Sequence, residues 1–221
     1  MTPVKIISIE HATHNVMHIK TEKPEGISYL PGQAVDVSVN KSDWKTELRP
    51  FTFTSLPTED HLEFFIKVYP EHNGVTDQIG ALKGGDTLLI GDVFGDIQYK
   101  GEGIFIAGGA GITPFIAILK DLESKKNLGN NKLIFANNTF NDIIENEFFK
   151  QLLGEHFINV LSKEEVEGYE HGYINNELIK AQIQNENIHF YLCGPPPMMD
   201  AVLKILKDLG IEDEKIVKEV Y

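Results

Sequence analysis

Cysteine occurs once in these 221 residues, at Cys193. One thiol excludes a disulfide framework, and it excludes a built-in plant-type iron–sulfur cluster, which takes four thiolates. Any iron–sulfur partner is then a separate chain. Long apolar runs are missing too, since no stretch approaches the roughly 18 residues that a membrane-spanning helix needs. The opening Met1-Thr2-Pro3-Val4-Lys5 has no apolar signal-peptide core, so the expectation is a cytoplasmic protein with no membrane partner. The eight histidines show no metal-ligand spacing with one another, and no metal is expected. Basic residues are outnumbered 20 to 33, and the net charge of −13 argues against a nucleic-acid partner or an anionic lipid surface. Arginine is scarcest of the charged residues: Arg49 stands alone against 19 lysines.

The chain is long enough for two domains, each able to bury its own core. It changes rhythm once. Up to about residue 98, short alternating or aromatic runs are punctuated by Pro, Gly, Asn and Asp: Val4–Glu10, Val16–Thr21, Ala34–Val39, Phe51–Ser55, Leu62–Tyr69 and Thr87–Gly91. Six close-spaced strands of this kind predict a closed antiparallel β-barrel. From about 99 onward strands alternate with helices. Ile104–Ala107 precedes a helix over Thr113–Lys125, Leu133–Ala136 precedes Asn146–Leu153, Ile158–Leu161 precedes Asn175–Ile183, and His189–Cys193 precedes Met198–Leu209. That alternation predicts a parallel sheet wrapped by helices, with domains over 1–98 and 99–221. The last helix gathers Met199, Val202, Leu203 and Leu206 on one face and stops at Gly210. Lys120, Lys125 and Lys126, like Lys204, Lys207, Lys215 and Lys218, read as solvated helix faces, the other reading being a basic patch for an acidic partner.

Three segments carry chemistry. Gly108-Gly109-Ala110-Gly111-Ile112-Thr113-Pro114 follows the apolar run Gly103–Ala107. A buried strand that breaks into glycines and then into a helix offers bare N–H groups at the positive end of a helix dipole, which is a seat for phosphate. Glycine-rich turns of this kind are also found with no ligand. Arg49, in a chain that otherwise uses lysine, supplies a planar fork suited to bidentate phosphate contact. Cys193 ends an apolar strand, where parallel sheets present ligands, although a lone cysteine is commonly a small buried hydrophobe.

Arg49-Pro50-Phe51-Thr52, the glycine turn and Cys193-Gly194-Pro195-Pro196-Pro197-Met198 stand in the order of the motifs R-x-[YF]-[ST], G-G-x-G-I-T-P and C-G-P-P-x-M. Pro31-Gly32-Gln33, Lys67-Val68-Tyr69, Gly74-Val75-Thr76 and Gly84-Gly85-Asp86 fall in register between them. Over nearly its whole length the chain resembles the ferredoxin–NADP reductase superfamily. The resemblance implies an N-terminal FAD-binding barrel and a C-terminal Rossmann-like NAD(P)-binding α/β domain. Arg49 would bind the flavin diphosphate, Phe51 would pack beside the ribityl chain and ring, and the Thr52 hydroxyl would reach flavin N5. Phe51 and Thr52 replace the commoner Tyr-Ser pair, keeping the stacking face and a hydroxyl donor. Gly74, Val75 and Thr76 would make a second diphosphate contact, which favours FAD over FMN, with Asp77 capping or facing solvent. Lys67, Val68 and Tyr69 would lie near the adenosine, or serve as ordinary strand residues.

For the second cofactor, the resemblance places NAD(P)H on Gly108, Gly109, Gly111, Ile112, Thr113 and Pro114, with Gly194, Pro195 and Met198. Cys193 would lie between nicotinamide C4 and flavin N5, shaping a contact of about 3.5 Å rather than acting as a nucleophile. Ser162, Lys163 and Tyr173 match the residues that hold a 2′-phosphate. Lys163 lacks a fork and Glu164 and Glu165 oppose a dianion, so the cofactor is written NAD(P)H, leaning to NADPH. The tail ends Glu219-Val220-Tyr221, as in plant-type members, where the tyrosine stacks on the flavin and the glutamate lies close to the reacting centre. The implied protein is a monomeric flavin-dependent reductase. It would pass electrons from NAD(P)H through FAD to a separate acceptor: a ferredoxin, a flavodoxin, an oxygenase component or a small oxidant. The alternative is an electron-transfer subunit of a larger complex without independent turnover.

Overall fold

The computed structural model describes residues 1–185 and 187–219. In the first half, β1 (Thr2–Thr13), β2 (Val16–Glu22), β3 (Ala34–Val39), β4 (Arg49–Thr52), β5 (His61–Lys67) and β6 (Thr87–Phe94) form one antiparallel sheet in the order β4-β3-β6-β1-β2-β5. β1 is longer than its apolar pattern predicts because it serves two partners. Thr2–Lys5 pair with β6, and Ile6–Thr13 pair with β2. β4 begins two residues earlier than expected and stops at Thr52. The chain then turns to the opposite edge, where Thr54 N–H donates to the Glu63 carbonyl (2.9 Å) and Glu63 N–H to Ser55 Oγ (3.0 Å). These bonds bring the two edges together and curl the sheet into a barrel. Its core holds Val4, Ile19, Val37, Phe53, Phe64 and Leu88. A short helix, α1 (Val75–Gly80), packs Val75 and Ile79 into that core.

In the second half, β7 (Gly103–Gly108), β8 (Lys132–Asn137), β9 (Phe157–Leu161), β10 (Glu170–His171), β11 (His189–Cys193) and β12 (Ile216–Lys218) form a parallel sheet in the order β10-β9-β8-β7-β11-β12. Helices α2 (Thr113–Ser124), α3 (Asn146–Leu153), α4 (Asn176–Gln182) and α5 (Pro196–Asp208) cover it. α4 starts where Asn175 Oδ1 accepts from Leu178 N–H, leaving Asn175 as the cap rather than the first helical residue. α5 starts two residues before the expected Met198, since Pro196 and Pro197 have no N–H to lose in a first turn. Met199, Val202 and Leu206 are buried, with Leu203 partly so, and Gly210 (φ +77°) ends the helix. β10 and β12 are invisible to a reading of the pattern because two and three residues carry no period.

Strand order reverses between β7 and β11, so the carboxyl ends of these strands flank the crevice where open α/β sheets take ligands. The barrel packs against this edge. β5 is buried on both faces: Leu62, Phe64 and Ile66 enter the barrel core, while Phe65, with Val16 and Ile97, joins the core of the second sheet. Lys120 departs from the solvated face expected of it. It turns from α2 toward the barrel, with its Nζ 2.7 Å from Glu63 Oε2. Among the described residues, no helix is long and apolar enough to cross a membrane.

Candidate functional site

β7 ends at Gly108, and one turn of 3₁₀ helix over Gly109–Ile112 leads into α2. Gly109 has φ +52°, and a Cβ there would meet nothing within 4 Å. Its exposed backbone borders open space, as a phosphate seat requires. Gly111 is needed for the opposite reason: a Cβ there would collide with the Cys193 carbonyl, so glycine lets the turn lie against the end of β11. Thr113 Oγ1 donates to the Ala110 carbonyl (3.0 Å) and fixes the turn. Ile112 and Pro114 are buried and hold α2 to the sheet rather than facing the crevice.

Over this turn lies a cleft of about 460 Å³. One wall comes from the barrel: Pro50, Phe51 and Thr52 of β4, Phe65 and Lys67 of β5, then Tyr69 and Thr76. The facing wall comes from the second sheet: Gly109, Gly111, Thr113, Cys193, Gly194, Pro195 and Glu219. A second arm of about 200 Å³ continues past Gly108, Gly109, Ala110, Lys67 and Pro195, which border both spaces. It reaches Asn137, Asn138, Asp142, Ser162, Tyr173 and Met198. One groove therefore crosses from barrel to sheet. It has an aromatic end and a glycine-lined middle, and its far end is polar.

Cys193 is 9% exposed, so burial first, and the Glu219 carboxylate second, push its thiol up to about 12. A thiol that stays protonated is a shaped wall rather than a nucleophile. Glu219 reaches the cleft because β12 pairs Lys218 with Leu192, one residue before Cys193. Tyr221 lies outside the described residues. Lys67 Nζ sits 5.7 Å from the centre of the Tyr69 ring, which also stacks on His72.

Several expected residues stand apart from the cleft lining. Arg49 is exposed at the head of β4, its Nη1 donating to the Leu48 carbonyl (2.6 Å). Val68 packs toward Gly80, and its N–H donates to the Asn15 carbonyl. Gly74 caps α1 through its backbone and Val75 is buried, leaving Thr76 as the member of that trio in the cleft. Asp77 neither caps α1 nor stands free, accepting from Gln78 Nε2 at 3.4 Å. Lys163 follows Ser162 but does not line the arm, and its N–H donates to the Asn138 carbonyl (2.9 Å). Sequence reasoning missed Phe65, Asn137 and Asp142. Phe65 carried a signal, since the run Phe64-Phe65-Ile66 breaks the alternation expected of a strand with one wet face.

Residues 1–82 match an FAD-binding domain family and residues 105–204 the oxidoreductase NAD-binding domain family. The chain belongs to the ferredoxin–NADP reductase superfamily. A crystal structure of a ferredoxin NADP+ reductase from Neisseria gonorrhoeae, with bound FAD and NADP, shares the fold with a TM-score of 0.86 at 22% identity, covering 99% of this chain and 97% of that one. Curated relatives include the anthranilate 1,2-dioxygenase electron transfer component of Acinetobacter baylyi, 27% identical over the whole of this chain. One subunit of the Na(+)-translocating NADH-quinone reductase of Yersinia enterocolitica is 29% identical over 97% of it. The matches span 66% and 59% of the lengths of those two relatives.

The cleft fits the two cofactors of the superfamily. Phe51 and Phe65 offer flat apolar faces for an isoalloxazine, and Thr52 offers a hydroxyl. The open ground over Gly109 offers unhindered N–H groups for a diphosphate.

Proposed function

We propose that this chain is an NADH-dependent FAD reductase that delivers electrons to a separate acceptor. The observation that carries the reading is the meeting of Thr52 and Phe51 with Cys193 and Glu219 in one cleft that runs on into the glycine turn. Residues 1–98 are assigned to FAD and 99–221 to the nicotinamide cofactor. Both walls come from one chain, so a monomer suffices. Bound FAD supplies the chemistry that side chains lack, accepting a hydride and giving up its electrons one at a time.

The chain's own residues position and insulate. Phe51 and Phe65 set the flavin plane, and the Thr52 hydroxyl donates at the edge where reduction takes place. Arg49, with the Thr76 hydroxyl, would hold the flavin diphosphate once its guanidinium leaves the Leu48 carbonyl, and Lys67 and Tyr69 would border the adenosine. Gly108–Ala110 take the nicotinamide dinucleotide diphosphate, with Gly194, Pro195 and Met198 on the other side. Cys193, neutral and nearly dry, would wall the nicotinamide and exclude water, and Glu219 holds its carboxylate at the same wall.

NADH fits the second arm better than the NADPH favoured by sequence reading. Lys67, at the shared end, is the basic side chain among its lining residues, and Lys163 is outside them. Ser162 and Asp142 line the far end, a pairing that accepts ribose hydroxyls and opposes a 2′-phosphate. The two curated relatives, by name an oxygenase electron-transfer component and part of a quinone reductase, support a docking acceptor over a small oxidant. The second of them also supports the reading of a subunit without independent turnover. Steady-state reduction of ferricyanide by the FAD-loaded chain separates the two: sustained NADH oxidation is expected, and flavin reduction without turnover would favour the subunit reading.

A further inference from the structure

Asn137 closes β8 beside the glycine turn. Its neighbour Ala136 pairs with Gly108, and Asn137 itself pairs with Leu161, the residue before Ser162. The residue is only 9% exposed, yet it lines the second arm, and both its amide atoms, Oδ1 and Nδ2, are buried with no hydrogen-bond partner among the described residues. Its backbone is not short of partners, since the carbonyl accepts from Ser162 N–H (3.0 Å). Buried amides are almost always paired, because taking an amide out of water without replacing its bonds is costly. Neighbouring polar groups that could serve are already engaged. Asn138 Oδ1 accepts from Ser162 Oγ, and Asp142 Oδ2 accepts from Thr139 N–H and Oγ1.

We propose that the Asn137 side chain is a dinucleotide-recognition group, kept unpaired by the protein so that the ligand completes it. This rests on reading the second arm as the nicotinamide-nucleotide groove. Its register places it between the diphosphate seat at Gly108–Ala110 and the far end at Ser162 and Tyr173. Once the side chain turns into the arm, Nδ2 would donate to a diphosphate oxygen and Oδ1 would accept from a hydroxyl of the adenosine ribose. A neutral amide suits this position, since it satisfies both a donor and an acceptor on one ligand without bringing a charge into a nearly dry site.

The test uses the FAD-loaded chain and two probes, NADH and ADP-ribose, which lacks the nicotinamide. Asn137→Leu keeps the size and removes both polar atoms. Binding of ADP-ribose by calorimetry is expected to weaken about 10- to 100-fold, as loss of paired buried groups does. The KM for NADH is expected to rise in parallel, with the limiting rate of flavin reduction changed less than about two-fold. The melting temperature without nucleotide is expected to hold or rise, because an unsatisfied amide has been removed. Asn137→Asp guards against a folding defect. It keeps the shape and sets a carboxylate beside the diphosphate, and is expected to weaken ADP-ribose at least as much as Asn137→Leu does while keeping the wild-type melting temperature. A lower melting temperature with unaltered ADP-ribose affinity would make Asn137 a structural amide and overturn the proposal. Wild-type protein that binds neither probe would overturn the groove assignment itself.

Discussion

Lys120 Nζ on α2 lies 2.7 Å from Glu63 Oε2 on β5, a charge pair that crosses from the nicotinamide domain to the barrel. Lys120 also donates to the Thr54 carbonyl (3.1 Å), and Glu63 accepts from Thr54 Oγ1 and from His18 Nε2 (2.8 Å). His18 in turn stacks on Phe65 at 4.5 Å, with its ring plane only 3° away. Phe65 lines the cleft between barrel and sheet. One buried carboxylate thus ties the helix that begins at the phosphate turn to the aromatic face of the cleft.

Glu63→Gln is expected to cost about 2 to 3 kcal/mol, near the lower end for breaking a buried pair because Lys120 keeps some contact with water. Burial alone would raise the Glu63 carboxyl. The hydrogen bond from His18, with the charge and hydrogen bond of Lys120, outweighs burial and holds the group far below its ordinary 4.5. A carboxyl depressed on folding gives stability that is full above 4.5 and lost as pH falls below it. Chemical denaturation at several pH values will show a steeper loss below 4.5 in the wild type than in the variant.

Cys193→Ala is expected to slow anaerobic flavin reduction by NADH about tenfold or more, since misplacing reactants by an ångström is that costly. The cavity left in a small buried site lowers stability by about 1 kcal/mol. Because the thiol is pushed up to about 12, iodoacetamide at mildly alkaline pH will leave the native protein unlabelled. Normal reduction kinetics in the variant would make Cys193 a core residue only.

Arg49→Ala is expected to raise the dissociation constant for FAD about 10- to 100-fold, the worth of a charge-assisted bidentate contact. Added salt will weaken FAD binding in the wild type and do so less in the variant. Fluorescence titration of the apoprotein with FAD measures both effects.

Asp142→Asn preserves an acceptor for Thr139 and removes a charge from the lining of the second arm, where the proposed reading sets the adenosine ribose. The preference in kcat/KM for NADH over NADPH is expected to fall several-fold, as a few tenths to about one kcal/mol of repulsion is relieved. An unaltered ratio would place the 2′-position elsewhere.

Much of this site was legible because its motifs are backbone devices. The turn after β7 needs glycine at Gly109 for its left-handed backbone, and α3 and β11 begin and end where their apolar patterns do. Tertiary partners were not legible. Lys120 looks like any lysine on an amphipathic helix until β5 is set against it. Glu63 and Phe65 sit on a strand whose second face is buried by another domain. The last three residues of the barrel motif, Phe53-Thr54-Ser55, continued a β pattern but left β4 to join the edges of the barrel. Asn137 gives no sign in sequence, because an unpaired amide is a property of its surroundings.

The central claim is that one chain brings a nicotinamide and a flavin together between Thr52 and Cys193. Anaerobic stopped-flow mixing of the FAD-loaded chain with NADH tests it most directly. The flavin's visible absorption is expected to bleach in a saturable single phase, slower in Cys193→Ala and right-shifted along the NADH axis in Asn137→Leu. Purified protein that takes up no FAD, or FAD-loaded protein whose absorption NADH leaves intact, would contradict it.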